Sequence, residues 1–324
     1  MLSNYAKQLI LGAAAAAIVM ASSFAAHAED TTFPHHKRHN KTNINLAVAS
    51  NFYGNPPTSS AITDIIAAFE AANPRYTVTV VDNGSTGSLA DHIINGNERK
   101  VDLFLAADTE TPQVLLIDHL SLVTPYNFSS SFIPPLYTFN YAVGILALLS
   151  NTPGVDLSCE TGTCGYDPKA HSTVAIADPK VAPYGVAAQT VLTGRYGLKP
   201  PLDTNSRVHE YDNITLTFNA VIAQKDPVGF VALSAICLNA SYPTEGNGTS
   251  ALAYFSIGSG STPGTLAYNY NPLVQAGIAI RNDRTPDQNI ELEDFVAFLT
   301  DFTTSPEPDS PMITTLKKFC YNAP

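Results

Sequence analysis

Short apolar runs of strand length alternate with helical patterns along most of the chain, from residue 44 onward. Residues 44–49 (INLAVA) and 76–81 (YTVTVV) are typical of strands, and between them Ile62, Ile65 and Phe69 share one face of a helix. The same alternation predicts strands at 101–106, 173–177, 228–233 and 276–280, and helices at 185–196, 292–302 and 312–319. The stretch 242–272 is rich in Gly, Ser, Thr and Tyr and is predicted to be loop. This order of elements favours an α/β fold with a mainly parallel sheet.

The composition narrows the class of protein. The 324 residues suffice for one large domain or two of moderate size. Charged residues make up only 14% and hydrophobic residues 45%, and the formal net charge is −11. These values exclude a disordered chain and a basic protein that binds nucleic acid. After residue 30 there is no apolar run of about 18 residues, so no internal membrane span is predicted.

The N-terminal residues 1–28 predict a cleavable signal peptide and therefore a periplasmic protein. Lys7 precedes an apolar stretch at 9–20, and Ala26 and Ala28 supply the small residues of a cleavage site. A membrane anchor is the alternative. Cleavage removes Lys7 from the 17 basic residues, so 16 remain against 28 acidic residues and the charge becomes −12.

A polar leader is predicted at residues 29–43. It contains His35, His36 and His39 among Lys, Arg and Asn residues. A flexible, solvated leader is the favoured interpretation, and a metal-binding tail is the alternative.

The chain has an even number of cysteines, as expected for disulfide bonds in an oxidising compartment. Cys159 and Cys164 enclose four residues and are the expected pair, which leaves Cys237 with Cys320. A zinc site is the alternative, but no histidine lies at ligand spacing from either cluster. No metal or cofactor is therefore predicted.

Three sequence motifs of catalysis are missing from the chain: G-x-S-x-G, the phosphate-binding G-x-x-x-x-G-K-[ST], and H-E-x-x-H. Four histidines remain as possible bases in the folded part, each isolated from a nucleophile motif. They are His92, His119, His171 and His209. An enzyme is accordingly not expected.

Small hydroxyl and amide residues follow several predicted strands and open helices. Examples are Ser50 and Asn51, the run 85–88 (STGS), and the helix starts at 183–185 and 212–215. Helix starts carry unpaired N–H groups and a partial positive charge, and ligands of open α/β sheets bind beyond the carboxyl ends of strands. Each junction alone is typical of an ordinary helix cap. Their occurrence in both halves of the chain indicates an anion site without Lys or Arg.

Six segments in order resemble the periplasmic molybdate-binding proteins of ABC importers. The most specific is 176–185 (IADPKVAPYG), which resembles an A-x-x-P-x-x-A-P-Y-G block. The others are 46–52 (LAVASNF), 83–90 (NGSTGSLA), 101–108 (VDLFLAAD), 226–233 (DPVGFVAL), and the ending from 295–299 (FVAFL) to 317–321 (KKFCY). The resemblance implies the type II periplasmic-binding-protein fold, in which two lobes flank a hinge of crossing strands and each lobe has a mainly parallel sheet between helices.

The resemblance also implies residue roles. Ser50 and Asn51 match the residues of the first ligand loop, and Thr86 takes the place of a ligand serine, with Ser85 as a neighbour. Tyr184 matches the ligand tyrosine, and Ile214 falls where a backbone N–H reaches the oxyanion.

The chain departs from the family pattern in its first ligand loop and in its late strand, and the Cys159–Cys164 loop and the stretch 242–272 resemble additions. The apparent insertion 54–58 would allow Ser59 or Ser60, instead of Ser50, to face the site. Another branch of the family carries its tyrosine in the late strand, where this chain has Ala232, so the role falls to Tyr184.

The implied function is capture of a tetrahedral oxyanion, molybdate or tungstate, by a periplasmic monomer that delivers it to an ABC permease in the inner membrane. One lobe would comprise 44–138 and 273–324, the other 139–272, with crossing strands near 139–145 and 273–280. Two alternatives stay open. One is a binding protein for phosphate, sulfate or another small anion, for which Asp178 or Asp212 could accept the proton of phosphate; the other is an exported hydrolase.

Overall fold

The computed structural model describes residues 41–54, 60–124, 138–155, 157, 173–194, 196–237, 251–256, 265–267, 270–304 and 308–324. From Lys41 onward the chain forms one compact unit. The predicted signal peptide, most of the predicted leader, and Cys159, Cys164, His171 and Ser59 lie outside the described residues.

The elements alternate as the sequence predicts. The strands are β1 (Thr42–Ala49), β2 (Tyr76–Gly84), β3 (Leu103–Ala106), β4 (Thr138–Gly144), β5 (Leu146–Ser150), β6 (Val174–Ala177), β7 (Val208–Tyr211), β8 (Val228–Ala232), β9 (Ala251–Ser256), β10 (Thr265–Ala267) and β11 (Leu273–Ala279). The helices are α1 (Ser50–Tyr53), α2 (Ala61–Ala72), α3 (Thr86–Ile94), α4 (Glu110–Asp118), α5 (Pro183–Gly194), α6 (Ile214–Ile222), α7 (Pro286–Leu299) and α8 (Pro311–Lys318).

Two mixed sheets organise the molecule. The first sheet has the order β2-β1-β3-β11-β4, in which β1 runs parallel to β2 and β3 while β11 runs antiparallel to β3 and β4. The second has the order β10-β9-β5-β8-β6-β7, in which β6 runs parallel to β7 and β8. We call the first sheet with α1–α4, α7 and α8 the first lobe, and the second sheet with α5 and α6 the second lobe.

The loop predicted over 242–272 is wrong in part, because the structure places β9 and β10 within it. β9 pairs antiparallel with β5, and β10 pairs parallel with β9. The β9 sequence, ALAYFS, has neither Gly nor Pro, and it gains its backbone partners from a strand about a hundred residues earlier in the chain. Its Gly- and Ser-rich flanks conceal this strand when the stretch is considered as a whole.

The chain passes between the sheets at two places. β4 pairs with β11 in the first sheet, and after Ile145 the chain enters the second sheet as β5. The return is made through β11, which lies between β3 and β4. The predicted division assigned residues from 139 onward to the second lobe, whereas β4 pairs within the first sheet. The lobe boundaries themselves stay a prediction.

Apolar helix faces pack on both sheets. In the first lobe, Ile62, Ile65 and Phe69 of α2 are buried, and the ring of Phe69 meets Phe295 of α7 edge-on at 4.9 Å between centroids. A disulfide bond joins Cys237, just after β8, to Cys320, just after α8. In the part of the chain that the structure describes, no helix has both the length and the apolar character needed to cross a bilayer.

Candidate functional site

All six predicted site residues line one small cavity between the lobes. Ser50, Asn51, Ser85 and Thr86 come from the first lobe, and Tyr184 and Ile214 come from the second. The volume of this cavity is only about 10 Å³. A space of this size holds about one water molecule and is far too small for a sugar or a peptide.

The cavity lies where strands end and helices begin. In the first sheet, the neighbouring parallel strands β1 and β2 lead directly into α1 and toward α3. In the second sheet, the neighbouring parallel strands β6 and β7 precede α5 and α6. Parallel strands bring their carboxyl ends to the same edge of a sheet, so local strand-to-helix junctions far apart in sequence converge on one point.

The Thr86 hydroxyl is held with its oxygen toward the protein. The backbone N–H of Ala107 donates to Thr86 Oγ1 at 3.0 Å, and the side chain is only 1% exposed. Because the oxygen accepts this bond, the hydroxyl hydrogen is available for another acceptor. Thr86 is therefore a neutral donor at the cavity wall.

The two serines of the cavity differ. Ser85 Oγ donates to Ser88 Oγ at 2.7 Å, so its hydrogen is engaged within α3. No hydrogen bond engages the hydroxyl of Ser50 within the described residues, while its carbonyl accepts from Gly54 N and from Thr215 Oγ1. Ser50 is thus the better placed donor of the two.

The start of α6 presents backbone N–H groups. Asn213 caps the helix, and its side chain accepts from Leu216 N at 3.0 Å. The first N–H groups of a helix, here those of Ile214 and Thr215, have no carbonyl partner within the helix. Ile214 lines the cavity, so the positive end of this helix lies at the wall.

Tyr184 is a buried neutral donor. It opens α5 after Pro183 and is 2% exposed. Burial raises the pKa of Tyr184 well above its usual value of 10, assisted by the nearby tyrosine hydroxyls and opposed by a hydrogen bond from the Asn51 side chain. The phenol therefore keeps its proton at neutral pH.

A buried polar network behind the cavity contains residues that sequence reasoning missed. Tyr321 Oη lies 2.8 Å from Asn51 O and 2.9 Å from Ser234 Oγ, and it accepts from Asn51 Nδ2 at 3.1 Å. Tyr141 Oη lies 2.9 Å from Ala106 O and 3.0 Å from Gln275 Oε1. The side chain of Asn51 thus also serves internal contacts. The only sequence signal for Tyr321 was its place in the closing segment 317–321.

Among the described residues that line the cavity, none carries a charge. Asp178 accepts from Lys180 N at 2.8 Å and its carbonyl accepts from Ala182 N, as in an ordinary turn into α5. Asp212 is exposed. Neither aspartate lines the cavity, so neither supplies an acceptor there.

The remaining candidates lie outside the cavity. Ser60 caps α2, where its side chain accepts from Thr63 N, and Ala232 lines a neighbouring pocket together with Ser60. His92 and His209 each pair with a buried aspartate, at 2.8 and 2.7 Å. Within the described ranges, no cluster of His, Cys, Asp and Glu is suited to hold a metal ion.

The lobes touch directly beside the cavity. Gly87 N of α3 donates to Val181 O at 2.9 Å, and Thr215 Oγ1 of α6 donates to Ser50 O at 3.1 Å. A Cβ on Gly87 would lie 3.1 Å from Val181 Cα, closer than ordinary contact. The glycine therefore permits the close approach of the two lobes.

Two α/β lobes joined by crossing strands, with a small donor-lined cavity between helix starts of both, define a solute-binding protein. The chain belongs to the family of bacterial extracellular solute-binding proteins, whose family model matches residues 50–301. Because this family consists of binding proteins, the chain is a binding protein and not an enzyme.

Individual relatives agree with this assignment. The chain is 32% identical over 194 residues to the molybdate-binding protein ModA of Azotobacter vinelandii, covering 60% of this chain and 66% of that protein. It is 30% identical over 239 residues to ModA of Rhodobacter capsulatus, covering 72% and 77%. The solved periplasmic molybdate-binding protein of Azotobacter vinelandii superposes with a TM-score of 0.61 at 23% identity, over 87% of this chain and 99% of that one. The fold is that of the type II periplasmic binding proteins.

Proposed function

We propose that the protein captures molybdate or tungstate in the cavity between its lobes. The observation that carries the proposal is the cavity wall, to which both lobes contribute neutral donors and no described residue contributes a charge or a carboxylate. A fully ionised oxyanion only accepts hydrogen bonds, so a set of neutral donors without a carboxylate suits it. The similarity to two proteins named molybdate-binding supports the same ligand.

The donors we assign to the ligand are the hydroxyls of Ser50, Thr86 and Tyr184 and the backbone N–H of Ile214. Ser85 contributes through its position at the start of α3, since its hydroxyl is engaged by Ser88. Asn51 contributes through its side-chain amide, which donates to Tyr321 Oη at 3.1 Å and also hydrogen-bonds the Tyr184 hydroxyl. Each hydrogen bond to a charged group contributes about 1.5–3 kcal/mol.

Phosphate and sulfate are the competing ligands. Phosphate is partly protonated at neutral pH and favours a carboxylate acceptor, which the wall lacks because Asp178 and Asp212 lie elsewhere. Sulfate is fully ionised, so only its smaller size separates it from molybdate.

In the cell, we propose, residues 1–28 direct export and are cleaved, and the mature protein works in the periplasm as a monomer. There it delivers the oxyanion to an ABC permease in the inner membrane. The similarity to a periplasmic molybdate-binding protein and to extracellular solute-binding proteins supports the periplasmic part of this assignment.

Thermal unfolding of the mature chain with molybdate, tungstate, sulfate and phosphate tests the proposal. A ligand at about 100 times its dissociation constant adds about 2.7 kcal/mol, which corresponds to roughly 4 °C for a chain of this length. We expect this rise with molybdate and tungstate, and a smaller one with the other two ions. If phosphate alone raises the melting temperature, the ligand assignment is wrong; if none of the four does, oxyanion binding is wrong.

A further inference from the structure

Gly144 lies directly against the hydroxyl of Tyr184. A Cβ on this glycine would overlap Tyr184 Oη and would lie 3.0 Å from Tyr184 Cζ and 2.8 Å from Gln275 Nε2. Distances below 3 Å do not occur for real Cβ atoms, so any side chain at this position requires the tyrosine hydroxyl to move. The glycine therefore leaves the space that the hydroxyl occupies.

The reason for a glycine here is steric and not conformational. The φ of Gly144 lies outside the left-handed region, and the residue ends β4 in regular pairing with Leu273 of β11. Alanine could adopt the same backbone. Space for the Tyr184 hydroxyl and the Gln275 amide is thus what excludes a side chain.

The same contact lies on the strands that join the lobes. Gly144 is the last residue of β4 before the chain enters the second sheet, and Gln275 lies on β11. The Gln275 side chain is fully buried, and its Nε2 is 3.5 Å from Tyr184 Oη. Tyr184 itself belongs to α5 of the second lobe. Its hydroxyl therefore contacts Gly144 and Gln275, which both belong to the strands that cross between the lobes.

We propose that Gly144 is a positioning residue for the Tyr184 hydroxyl, an inference that rests on the proposed function. A Cβ at residue 144 would displace the hydroxyl by about 1 Å or more to restore ordinary contact. Hydrogen bonds between hydroxyl and oxyanion oxygens span only about 2.5–3.0 Å, so a displacement of this size breaks the bond to the ligand. Gly144 thereby contributes to affinity without touching the ligand.

A double-mutant cycle tests the proposal, with Gly144→Ala, Tyr184→Phe and the combined variant compared with the wild-type mature chain. Molybdate and tungstate affinities are measured by isothermal titration, and the stability of each variant is measured without ligand. We expect Gly144→Ala alone and Tyr184→Phe alone to weaken binding by similar factors, roughly tenfold to a hundredfold, as for one hydrogen bond to a charged group. In the combined variant, Gly144→Ala should add no further loss, because the hydroxyl that it displaces is gone.

If Gly144→Ala folds too poorly for its affinity to be measured, the stability of the ligand-free variants still tests the proposal. We expect the combined variant to be more stable than Gly144→Ala alone, because removal of the hydroxyl relieves the shortest contact and leaves only those to the ring Cζ and to Gln275 Nε2. Equal destabilisation by Gly144→Ala in both backgrounds overturns the proposal, and so does wild-type affinity in a folded Gly144→Ala protein. A wild-type chain that binds none of the oxyanions instead overturns the proposed function, and the inference falls with it.

Discussion

Replacement of Thr86 by valine is the sharpest test of the proposed role of the hydrogen-bond donors that line the cavity. Thr86 is almost completely buried, lines the cavity, and accepts a hydrogen bond from Ala107 N at 3.0 Å. Valine has nearly the same shape, so Thr86→Val removes the hydroxyl without creating a cavity. The change therefore isolates two hydrogen bonds, one inside the protein and one proposed to the ligand.

The two losses have different magnitudes and different readouts. Without the hydroxyl, the buried N–H of Ala107 lacks its acceptor, which costs about 1–3 kcal/mol of stability in the ligand-free protein. Loss of the donor to a charged ligand costs about 1.5–3 kcal/mol of binding free energy, or roughly 10- to 140-fold in the dissociation constant. Urea unfolding measures the first loss, and isothermal titration with molybdate measures the second.

Two control variants separate these effects. Thr86→Ser keeps the hydroxyl and should bind within a few-fold of the wild type. Thr315→Val removes the hydroxyl of a buried threonine of α8 that does not line the cavity, so its affinity should equal that of the wild type. If Thr86→Val loses stability but binds molybdate as tightly as the wild type, its hydroxyl serves only Ala107 and the assignment to the ligand is refuted.

Three further predictions address the lobes, the disulfide bond and pH. Gly87→Ala places a Cβ 3.1 Å from Val181 Cα and should weaken molybdate binding several-fold by titration, with little change in ligand-free stability; unchanged affinity would contradict a role in lobe approach. Replacing both Cys237 and Cys320 by serine removes a disulfide bond between residues 83 positions apart. The free energy of unfolding, measured with urea, should fall by up to about 4.5 kcal/mol. An unchanged urea midpoint would refute this prediction. Burial raises the pKa of Tyr184 well above 10, so the phenol keeps its donor proton below about pH 10. The free energy of unfolding that depends on the neutral phenol is likewise lost only as the pH rises further. Titrations between about pH 7 and pH 9 should therefore give constant affinity, and a steep fall within that range would exclude Tyr184 as a neutral donor.

The sequence was sufficient to predict the junctions that line the cavity, because each is a local feature. A strand followed by Ser50 and Asn51, or a helix opened by Asn213, is encoded within a few residues of chain. The parallel order of β1 with β2 and of β6 with β7 then brings these junctions together. Local patterns with one general rule of α/β sheets thus predicted the junction segments, whereas the choice of six residues within them came from the resemblance to molybdate-binding proteins.

The residues behind the cavity could not be predicted in this way. Tyr321 contacts Asn51 across 270 positions, and Gln275 contacts Tyr184 across 91. Tyr321 is one of 15 tyrosines, and nothing in its neighbourhood marks it as part of a polar network. Gly144 is likewise one of 19 glycines, in an unremarkable strand backbone. Such roles depend on the packing of side chains from distant segments, which only a three-dimensional structure provides.

A protein with a net negative charge can bind the anionic ligand that we propose, because most of its charged groups lie far from the cavity. Fixed charges more than about 8 Å away are largely screened at physiological ionic strength, whereas hydroxyl and backbone N–H donors act in contact. The net charge of −11 therefore affects the approach of the anion more than its capture. A wall of neutral donors also selects differently from lysine or arginine. A cation would attract any anion, whereas a wall of neutral donors without a carboxylate favours a fully ionised oxyanion over one that still carries a proton, because a carboxylate is the strongest acceptor for that proton. Discrimination among fully ionised oxyanions is then left to the fit between the anion and the positions of the donors, among them the Tyr184 hydroxyl that we propose Gly144 positions.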